Sequence, residues 1–196
     1  MSSPNPSIFP ASLLSSDAAA ALPTGFTIRP LERADYAKGF LECLRDLTWM
    51  GNVTEKDFNE RYDDMDTGGK GPYYYLVIEH EGKIVGTGAV IVEKKLSVFP
   101  PIFHAHVIQI GVHSLLTNLA DKSIQNRTTV GHIEEICISK EHQGKRLGFH
   151  MLAALNSVAK NVGCRKTILN CSEHNIPFYQ KCGFKVCGTE METVFQ

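Results

Sequence analysis

Stretches of alternating or continuous apolar residues divide this chain into predicted strands and helices. Alternation and short apolar runs predict strands, whereas apolar residues three or four positions apart predict helices. Strands are predicted at residues 26–29, 73–79, 84–92, 130–139 and 165–171, with a last strand or strand pair at 184–195. Helices are predicted at 36–48, 54–65 and 147–162, with a short one from Asn175 to Gly183. Antiparallel strands followed by a strand–helix–strand unit predict a mixed, mostly antiparallel sheet with helices on both faces, which is an α/β (α+β) fold.

Residues 1–24 precede the first strand and are rich in Ser, Pro and Ala. Ser15 stands before Asp17 and a run of alanines, where its hydroxyl can cap a short helix. We therefore expect an N-terminal arm over 1–24, either lying on the domain or disordered, and one domain over 25–196.

The composition fits a globular domain and excludes several classes of protein. With 196 residues, 43% of them hydrophobic and 21% charged, the chain can bury a sizeable core. A net charge of −1 gives no reason to expect nucleic acid as a partner, and no apolar run is long enough to span a membrane. The six cysteines form no C-x-x-C pair, and no basic residue precedes Arg29, so no signal peptide is indicated. We expect reduced thiols and a cytoplasmic, reducing location.

Residues 134–148 combine a buried strand, a turn rich in glycine and charge, and the start of a helix. The N–H groups at a helix N-terminus lack intrahelical partners, and together with the helix dipole they bind phosphate. The spacing from Gln143 to Gly148 suits a pyrophosphate, but further motifs are needed to identify the ligand.

Such motifs are present, and together they resemble one family. The strand–turn–helix around Gln143 and the run Asn-Ile-Pro-Phe-Tyr-Gln-Lys-Cys-Gly-Phe at 175–184 resemble the GCN5-related (GNAT) acetyltransferases. The runs at 26–31, 86–89, 131–136 and 167–171 resemble the eukaryotic glucosamine 6-phosphate N-acetyltransferases. The resemblance covers residues 24–95 and 122–193.

This resemblance implies a GNAT acyl-CoA N-acyltransferase fold, acetyl-CoA as co-substrate, no metal, and glucosamine 6-phosphate as the acceptor, for amino-sugar nucleotide synthesis. It also implies a homodimer whose C-terminal strands contribute across the interface. The pantetheine arm is expected along Ile136, Cys137 and Ile138, and the pyrophosphate at the following loop and helix start. The residues of that loop and helix start are Gln143, Gly144, Lys145, Arg146, Leu147, Gly148 and Phe149.

The resemblance also assigns residues to the chemistry. Tyr179 is expected to donate a proton or a hydrogen bond to the departing thiolate, because a phenol with a pKa of about 10 is protonated at neutral pH. Glu134 and Glu135 are expected to position the amine, and strand alternation lets only one of them face the site. A backbone N–H at the strand opening is the expected donor to the oxyanion. Positions near the sugar phosphate are matched by Thr48, Arg165 and Lys166.

Three features depart from the family pattern. Arg146 replaces a Gly in the pyrophosphate loop. Its long side chain is expected to weaken cofactor binding, and a left-handed backbone at this position would cost about 1–2 kcal/mol. Asn170 replaces an Asp that helps to hold the amine or the cofactor, so the site loses a charge. Residues 96–121 form an insert with one acidic or basic side chain.

The sequence leaves more than one interpretation open for the insert and for the function. The insert is interpreted as a hydrophobic lid or partner surface, as a metal site through His104 and His106, or as a translated retained intron. Besides glucosamine 6-phosphate acetylation, the chain fits an acetyltransferase for another amine, or an acyl-CoA-binding homologue with impaired catalysis.

Overall fold

The computed structural model describes residues 7–95 and 129–194, and its centre is a five-stranded sheet whose strands lie in chain order. The strands are β1 (Phe26–Pro30), β2 (Tyr73–His80), β3 (Lys83–Lys94), β4 (Thr129–Ile138) and β5 (Lys166–Ile168). The α-helices are α1 (Ser16–Ala20), α2 (Phe40–Arg45), α3 (Glu55–Met65), α4 (Leu147–Asn161) and α5 (Ile176–Lys181). Short 3₁₀ helices lie at Ala11–Leu13, Arg33–Tyr36, Lys140–His142 and Glu173–Asn175. Strands β1 to β4 pair antiparallel and β5 pairs parallel to β4, which confirms the predicted mixed sheet.

Local sequence signals explain where several elements begin and end. Thr54 caps α3, because its hydroxyl accepts from the N–H of Asp57 at 3.3 Å while the Asp57 carboxylate accepts from the N–H of Thr54 at 2.8 Å. Glu81 and Gly82 both have positive φ, which is the conformation of a tight two-residue hairpin between β2 and β3. Gly163, with a φ of 89°, follows the end of α4. The predicted capping box, hairpin turn and helix end are confirmed.

Different helices cover the two faces of the sheet. Helix α2 packs on the face that carries Cys137, whose Sγ donates to the Cys43 carbonyl oxygen at 3.0 Å. Helix α4 covers the opposite face, where a Cβ added to Gly88 would stand 2.8 Å from the Cδ1 atoms of Ile136 and Leu155. The absence of a side chain at Gly88 therefore lets α4 and β4 pack closely over β3.

The described part of the N-terminal arm packs on the domain. Ile8 and Phe9 are almost fully buried, and the N–H of Ile8 donates to the Leu31 carbonyl oxygen at 2.9 Å. The N–H of Ser15 donates to the hydroxyl of Ser157 in α4 at 3.2 Å, which fixes the start of α1. The Ser15 hydroxyl also accepts from the N–H of Ala18, so the predicted helix cap is confirmed.

The helix predicted at 36–48 is wrong in extent. A 3₁₀ helix ends at Tyr36, and α2 spans only Phe40–Arg45. Gly39 precedes α2 with a φ of 87°, so its left-handed backbone separates the two segments.

Two strands predicted near the C-terminus are also wrong in extent. Strand β5 ends at Ile168 rather than at residue 171, because its pairing with β4 stops there. Residues 184–194 contain no strand, since no neighbouring strand of the described chain pairs with them. Phe195 and the insert at 96–121, including His104 and His106, lie outside the described residues.

Candidate active site

Strand β4 contains a β-bulge where the predicted site residues lie. Thr87 pairs with Cys137, and Ala89 pairs with Glu134. Gly88 therefore stands opposite two residues of β4, Glu135 and Ile136. Glu135 occupies the extra position with a φ of 54°, and its carbonyl oxygen accepts from the Thr87 hydroxyl at 3.0 Å. Such a bulge interrupts the hydrogen-bond ladder and redirects the side chains around it.

The bulge places both glutamates on the sheet face that α2 and α3 cover. Glu134 and Cys137 lie three positions apart and would point to opposite faces of a regular strand, but here they share this face. The Tyr75 hydroxyl interacts with the Glu135 carboxyl group on the same face. The expectation that only one glutamate faces the site is therefore wrong, because the extra residue shifts the alternation by one position.

The surroundings of Glu135 change its acidity. Although Glu135 is exposed as a residue, burial of its carboxyl group raises its pKa, the Tyr75 hydroxyl opposes this effect, and the charge of Glu134 adds to it. Burial also raises the pKa of the Tyr75 phenol, with a contribution from the Glu135 charge. The Glu135 carboxylate is thus a better proton acceptor than an ordinary glutamate.

Strands β4 and β5 separate after a short paired region. Their last pair joins His132 to Ile168, so residues 133–138 of β4 have no β5 partner within the described chain. The resulting gap runs along the edge of β4 and includes the bulge.

The backbone of Ile136 and Ile138 faces this gap. The N–H of Ser139 donates to the Val85 carbonyl oxygen in β3 at 2.9 Å, so alternate residues of β4 turn their backbone toward β3. On the other side, the Ile138 carbonyl oxygen accepts from Gln143 Nε2 at 3.1 Å. Ile136 lies two residues before Ile138 and has the same orientation, so an extended ligand can hydrogen-bond to β4 as an added strand would.

The turn between β4 and α4 presents a row of free N–H groups. Within the described residues, no hydrogen bond uses the N–H groups of residues 144–148, and the first two of α4 lack intrahelical partners. This row at a helix N-terminus has the donors that a pyrophosphate requires, so the residues present fit the expected cofactor.

Arg146 lies at the centre of this row. Its φ of 63° and ψ of 12° are left-handed, and it is the N-cap residue of α4. Its guanidinium stands 5.7 Å from the centre of the Phe149 ring and is exposed to solvent. The backbone therefore has the conformation that favours glycine, and the side chain lies on the outside of the turn.

Tyr179 lies on α5, which approaches the first turn of α4. The contact is made by Phe178, whose Cζ would stand 3.2 Å from a Cβ added to Gly148. Tyr179 is half-buried, and burial raises its pKa, with added effects from Cys171 and Cys182. Its hydroxyl makes no hydrogen bond to another described residue. Tyr179 therefore keeps its proton at neutral pH.

The remaining predicted residues lie in different places. Asn170 Nδ2 donates to Glu190 Oε1 at 2.8 Å, and both line, together with Tyr179, a cavity of about 920 Å³. Thr48 is exposed just after α2, where its N–H donates to the Leu44 carbonyl oxygen at 3.2 Å. The structure thus brings Asn170 to Tyr179 and leaves Thr48 on the rim of the helical layer.

Arg165 and Lys166 are separated from the bulge along the sheet. Both are exposed at the start of β5, where Lys166 pairs with Val130 and the N–H of Arg165 donates to the Thr129 carbonyl oxygen at 3.0 Å. Glu135 lies five positions after Val130 in β4, which is roughly 16 Å along a strand. Within one chain, both basic residues are therefore separated along the sheet from the glutamates, whereas Lys166 lines the same cavity as Asn170 and Tyr179.

Sequence reasoning missed Tyr75 and a cavity of about 500 Å³ that is lined by both Tyr75 and Glu135. The cavity lies between β2, α2 and α3 and is lined by residues that include Tyr73, Tyr75, Phe40 and Phe58. The run of three tyrosines at 73–75 was the available signal, because alternation turns its first and third members toward the same helical layer.

Two kinds of feature are absent from the described residues. None of the helices at 7–95 and 129–194 is long and apolar enough to cross a membrane. The same residues contain no group of three or more His, Cys, Asp or Glu side chains arranged to hold a metal ion.

Comparison with known proteins gives matches that cover the described domain. Residues 40–184 match the model of the acetyltransferase (GNAT) family. The chain is 35% identical over 170 residues to glucosamine 6-phosphate N-acetyltransferase of Candida albicans, covering 87% of this chain and 96% of the relative. It is 34% identical over 172 residues to the Arabidopsis thaliana protein of the same name, covering 87% of this chain and 97% of the relative. The crystal structure of the Arabidopsis thaliana enzyme superposes with a TM-score of 0.70, covering 87% of this chain and 99% of that one.

Proposed function

This chain belongs to the acetyltransferase (GNAT) family, and on that premise we propose that it transfers acetyl from acetyl-CoA to the 2-amine of glucosamine 6-phosphate. The product is N-acetylglucosamine 6-phosphate. The observation that carries the proposal is the bulge at Glu135 beside the open edge of β4, because it combines proton acceptors with unpaired backbone donors. The similarity to glucosamine 6-phosphate N-acetyltransferases over most of the chain supports the choice of acceptor.

The described residues fit acetyl-CoA, which supplies an activated thioester when bound. The backbone of Ile136 and Ile138, with Cys137 between them, holds the pantetheine arm along the edge of β4. The N–H groups of residues 144–148 hold the pyrophosphate, and Gln143 braces this turn against β4 through its hydrogen bond to Ile138. The first turn of α4, including Leu147 and Phe149, fixes the direction of these donors.

The side chains around the bulge then perform the proton transfers. The amine attacks only in its neutral form, and the raised pKa of Glu135 suits it to take the proton, with Glu134 beside it to attract the ammonium group. The N–H of Ile136 faces the gap and donates to the oxyanion that develops on the carbonyl. Tyr179, protonated at neutral pH, donates to the departing sulfur, and Asn170 lines the same cavity.

We also propose that the sugar phosphate is bound by Arg165 and Lys166 of a second copy in a homodimer, with Thr48 at the rim. A phosphomonoester carries nearly two negative charges and needs basic partners. Arg165 and Lys166 are exposed and lie roughly 16 Å along the sheet from Glu135. Lys166 lines the cavity of Asn170 and Tyr179. The C-terminal segment at 185–194 is exposed and includes Val186, Met191 and Val194, whose apolar side chains an interface would cover.

A cytoplasmic location is part of the same proposal. All six cysteines are free thiols, including the buried pair Cys43 and Cys137. Free thiols are typical of a reducing intracellular compartment.

Release of free thiol from acetyl-CoA tests the proposed function. We expect rapid release with glucosamine 6-phosphate, much slower release with glucosamine, which lacks the phosphate, and none with glucose 6-phosphate, which lacks the amine. Tyr179→Phe should lower kcat about 10²-fold, whereas Tyr36→Phe, a half-buried tyrosine outside the site, should not. Binding of acetyl-CoA without turnover of any amine would instead identify an acyl-CoA-binding homologue.

A further inference from the structure

We propose that Cys43 and Cys137 form a reversible disulfide, which joins α2 to β4 and weakens the binding of acetyl-CoA. Both residues are free cysteines, and neither side chain takes part in the proton transfers of the proposed function. The inference rests on the proposed function only in that acetyl-CoA is the ligand whose binding changes. The contacts and burial of the two thiols, and their position beside the edge of β4, support it.

The two thiols lie together in the layer between α2 and the sheet. Cys43 is 3% exposed and Cys137 is 5% exposed. Cys137 Sγ donates to the Cys43 carbonyl oxygen at 3.0 Å, and the two thiol groups also interact with each other. Two cysteines whose side chains already meet need a local movement, and no refolding, to bring their sulfurs to the bonded distance of about 2.05 Å.

The surroundings of the pair favour Cys137 as the attacking sulfur. The Cys43 thiol lowers the pKa of Cys137, although burial of Cys137 opposes this effect. The contact with Cys137, together with burial, raises the pKa of Cys43. Because the thiolate and not the thiol attacks a disulfide, Cys137 is expected to react first and Cys43 to close the bond.

The oxidant in this reaction is a low-molecular-weight disulfide. The Cys137 thiolate attacks one sulfur of the reagent, whose sulfur–sulfur bond breaks and releases one small thiolate. Cys43 then loses its proton and attacks the Cys137 sulfur, which displaces the second small thiolate. In total the protein loses two electrons and two protons, and the reagent becomes two thiols.

Helix α2 is the element whose opening gives the oxidant access to the buried pair. It has only six residues and begins after the left-handed Gly39. It is followed by residues 46–54, which form neither helix nor strand. A helix this short is not stable by itself, and such segments open locally without global unfolding. Opening of α2 therefore exposes both sulfurs while the sheet stays intact.

The disulfide would act on the edge of β4 where acetyl-CoA is proposed to bind. Cys137 lies between Ile136 and Ile138, whose backbone faces the gap between β4 and β5. Bond formation brings the two sulfurs much closer than a non-bonded contact allows, and a close-packed interior transmits such a movement to its neighbours. We therefore expect the backbone at 136–138 to shift, and the added-strand hydrogen bonds to the pantetheine arm to weaken.

Peptide mapping tests the bond itself and does not depend on activity. The full chain is incubated with excess 2-hydroxyethyl disulfide, freed of reagent, alkylated under denaturing conditions and digested. We expect mass spectrometry to find a peptide pair that joins Cys43 to Cys137, and dithiothreitol to abolish it. A treated protein that contains only mixed disulfides with the reagent, or no modification at this pair, would overturn the inference.

Titration with acetyl-CoA tests the consequence. This arm uses a background with Cys171→Ser and Cys187→Ser, because both thiols are exposed and line the cavity of Tyr179, where a mixed disulfide would also disturb binding. Oxidation should raise the apparent Kd of acetyl-CoA at least tenfold, and dithiothreitol should restore it. A cross-linked protein whose Kd stays within about twofold of the reduced protein would overturn the effect on binding.

Two further variants in that background show which thiol is responsible. Cys43→Ala removes one sulfur of the pair, so oxidation should change its Kd by less than about twofold. Cys164→Ala removes a half-buried thiol just after α4, and oxidation should still raise its Kd at least tenfold. Thermal unfolding shows whether both variants are folded, and the peptide map of the full chain decides the inference if Cys43→Ala is not.

The outcomes separate this inference from the proposed function. Failure of the reduced protein to acetylate glucosamine 6-phosphate overturns the proposed function, while the peptide map and the titration still decide the inference. Turnover of glucosamine 6-phosphate by a protein that forms no bond between Cys43 and Cys137 overturns the inference and leaves the proposed function intact.

Discussion

Single residues with unusual backbone conformations mark both halves of the site. Three described non-glycine residues have positive φ, and two of them, Glu135 and Arg146, lie at the bulge and in the phosphate-binding turn. The third, Glu81, belongs to a tight hairpin in which such a conformation is required. Backbone strain that is not explained by a hairpin therefore coincides with the positions where acetyl transfer and pyrophosphate binding are proposed.

Arg146→Gly tests how much strain the phosphate-binding turn carries. Because Gly adopts a left-handed φ without steric cost, we expect it to raise the free energy of unfolding by about 1 kcal/mol relative to Arg146→Ala. The Ala variant is the matched control, since it removes the same contact with Phe149 but keeps a Cβ. Urea unfolding measures stability, and a titration with acetyl-CoA should show tighter binding by the Gly variant. Equal stability of the two variants would contradict the assigned backbone conformation.

Glu135→Gln should separate stability from activity. The folded-state pKa of Glu135 is raised above its ordinary value of 4.5, so its stabilising contribution is complete below that value and is lost as the pH rises through the folded pKa. The ionised form of Glu135 therefore destabilises the folded state relative to the neutral form, so at neutral pH the Gln variant should be at least as stable as the original protein. Its kcat/KM should fall about 10²-fold, because the amide cannot take a proton.

The control for this prediction is Glu134→Gln. Removing the charge of Glu134 lowers the pKa of Glu135, so the pH range over which stability is lost should move toward acid. Urea unfolding at a series of pH values measures the shift. A larger loss of stability for Glu135→Gln than for Glu134→Gln at neutral pH would show that Glu135 stabilises the fold.

At the scale of elements, the sequence predicts structure well where a local signal fixes it. The capping box at Thr54 and the hairpin at Gly82 depend on neighbouring residues, and both are present as predicted. The bulge depends on pairing between β3 and β4, so the period-two pattern through Glu134 and Glu135 could not reveal it. Likewise, the end of β5 at Ile168 is set by the separation of two strands and not by the apolar run that continues beyond it.

Gly88→Ala should disturb the packing of β3, β4 and α4 at the bulge. The added Cβ would stand 2.8 Å from Ile136 Cδ1 and Leu155 Cδ1, within a closely packed core. We expect a loss of about 1–3 kcal/mol in the free energy of unfolding. The rate of acetyl transfer should also fall, since Ile136 carries the proposed oxyanion donor. Gly51→Ala is the control, because its Cβ would meet only the exposed Trp49 ring at 3.6 Å.

At the scale of the whole molecule, the described chain brings the proposed acetyl-transfer residues together but leaves the proposed phosphate-binding residues away from Glu135. Glu135 lies on β4 beside the gap and Tyr179 lines the cavity next to β5, whereas Arg165 lies just before the start of β5. The sequence pattern could not show this separation, because it contains no information on distances between residues far apart in the chain. Residues 184–194 show the same limit, since a strand-like apolar pattern forms no strand without a partner edge.

A homodimer with a shared site makes a quantitative prediction about mixed subunits. Glu135→Gln and Arg165→Ala should each inactivate a homodimer, because each removes one component from both sites. In a heterodimer of the two variants, one site has both substitutions and the other has neither. We therefore expect the isolated heterodimer, purified through two different tags after co-expression, to recover about half of the original activity. Pairing Glu135→Gln with a chain that carries both substitutions is the control and should recover none. An inactive heterodimer of the single variants would place Arg165 and Glu135 in the same chain's site, and a monomer in solution would remove the basis for sharing.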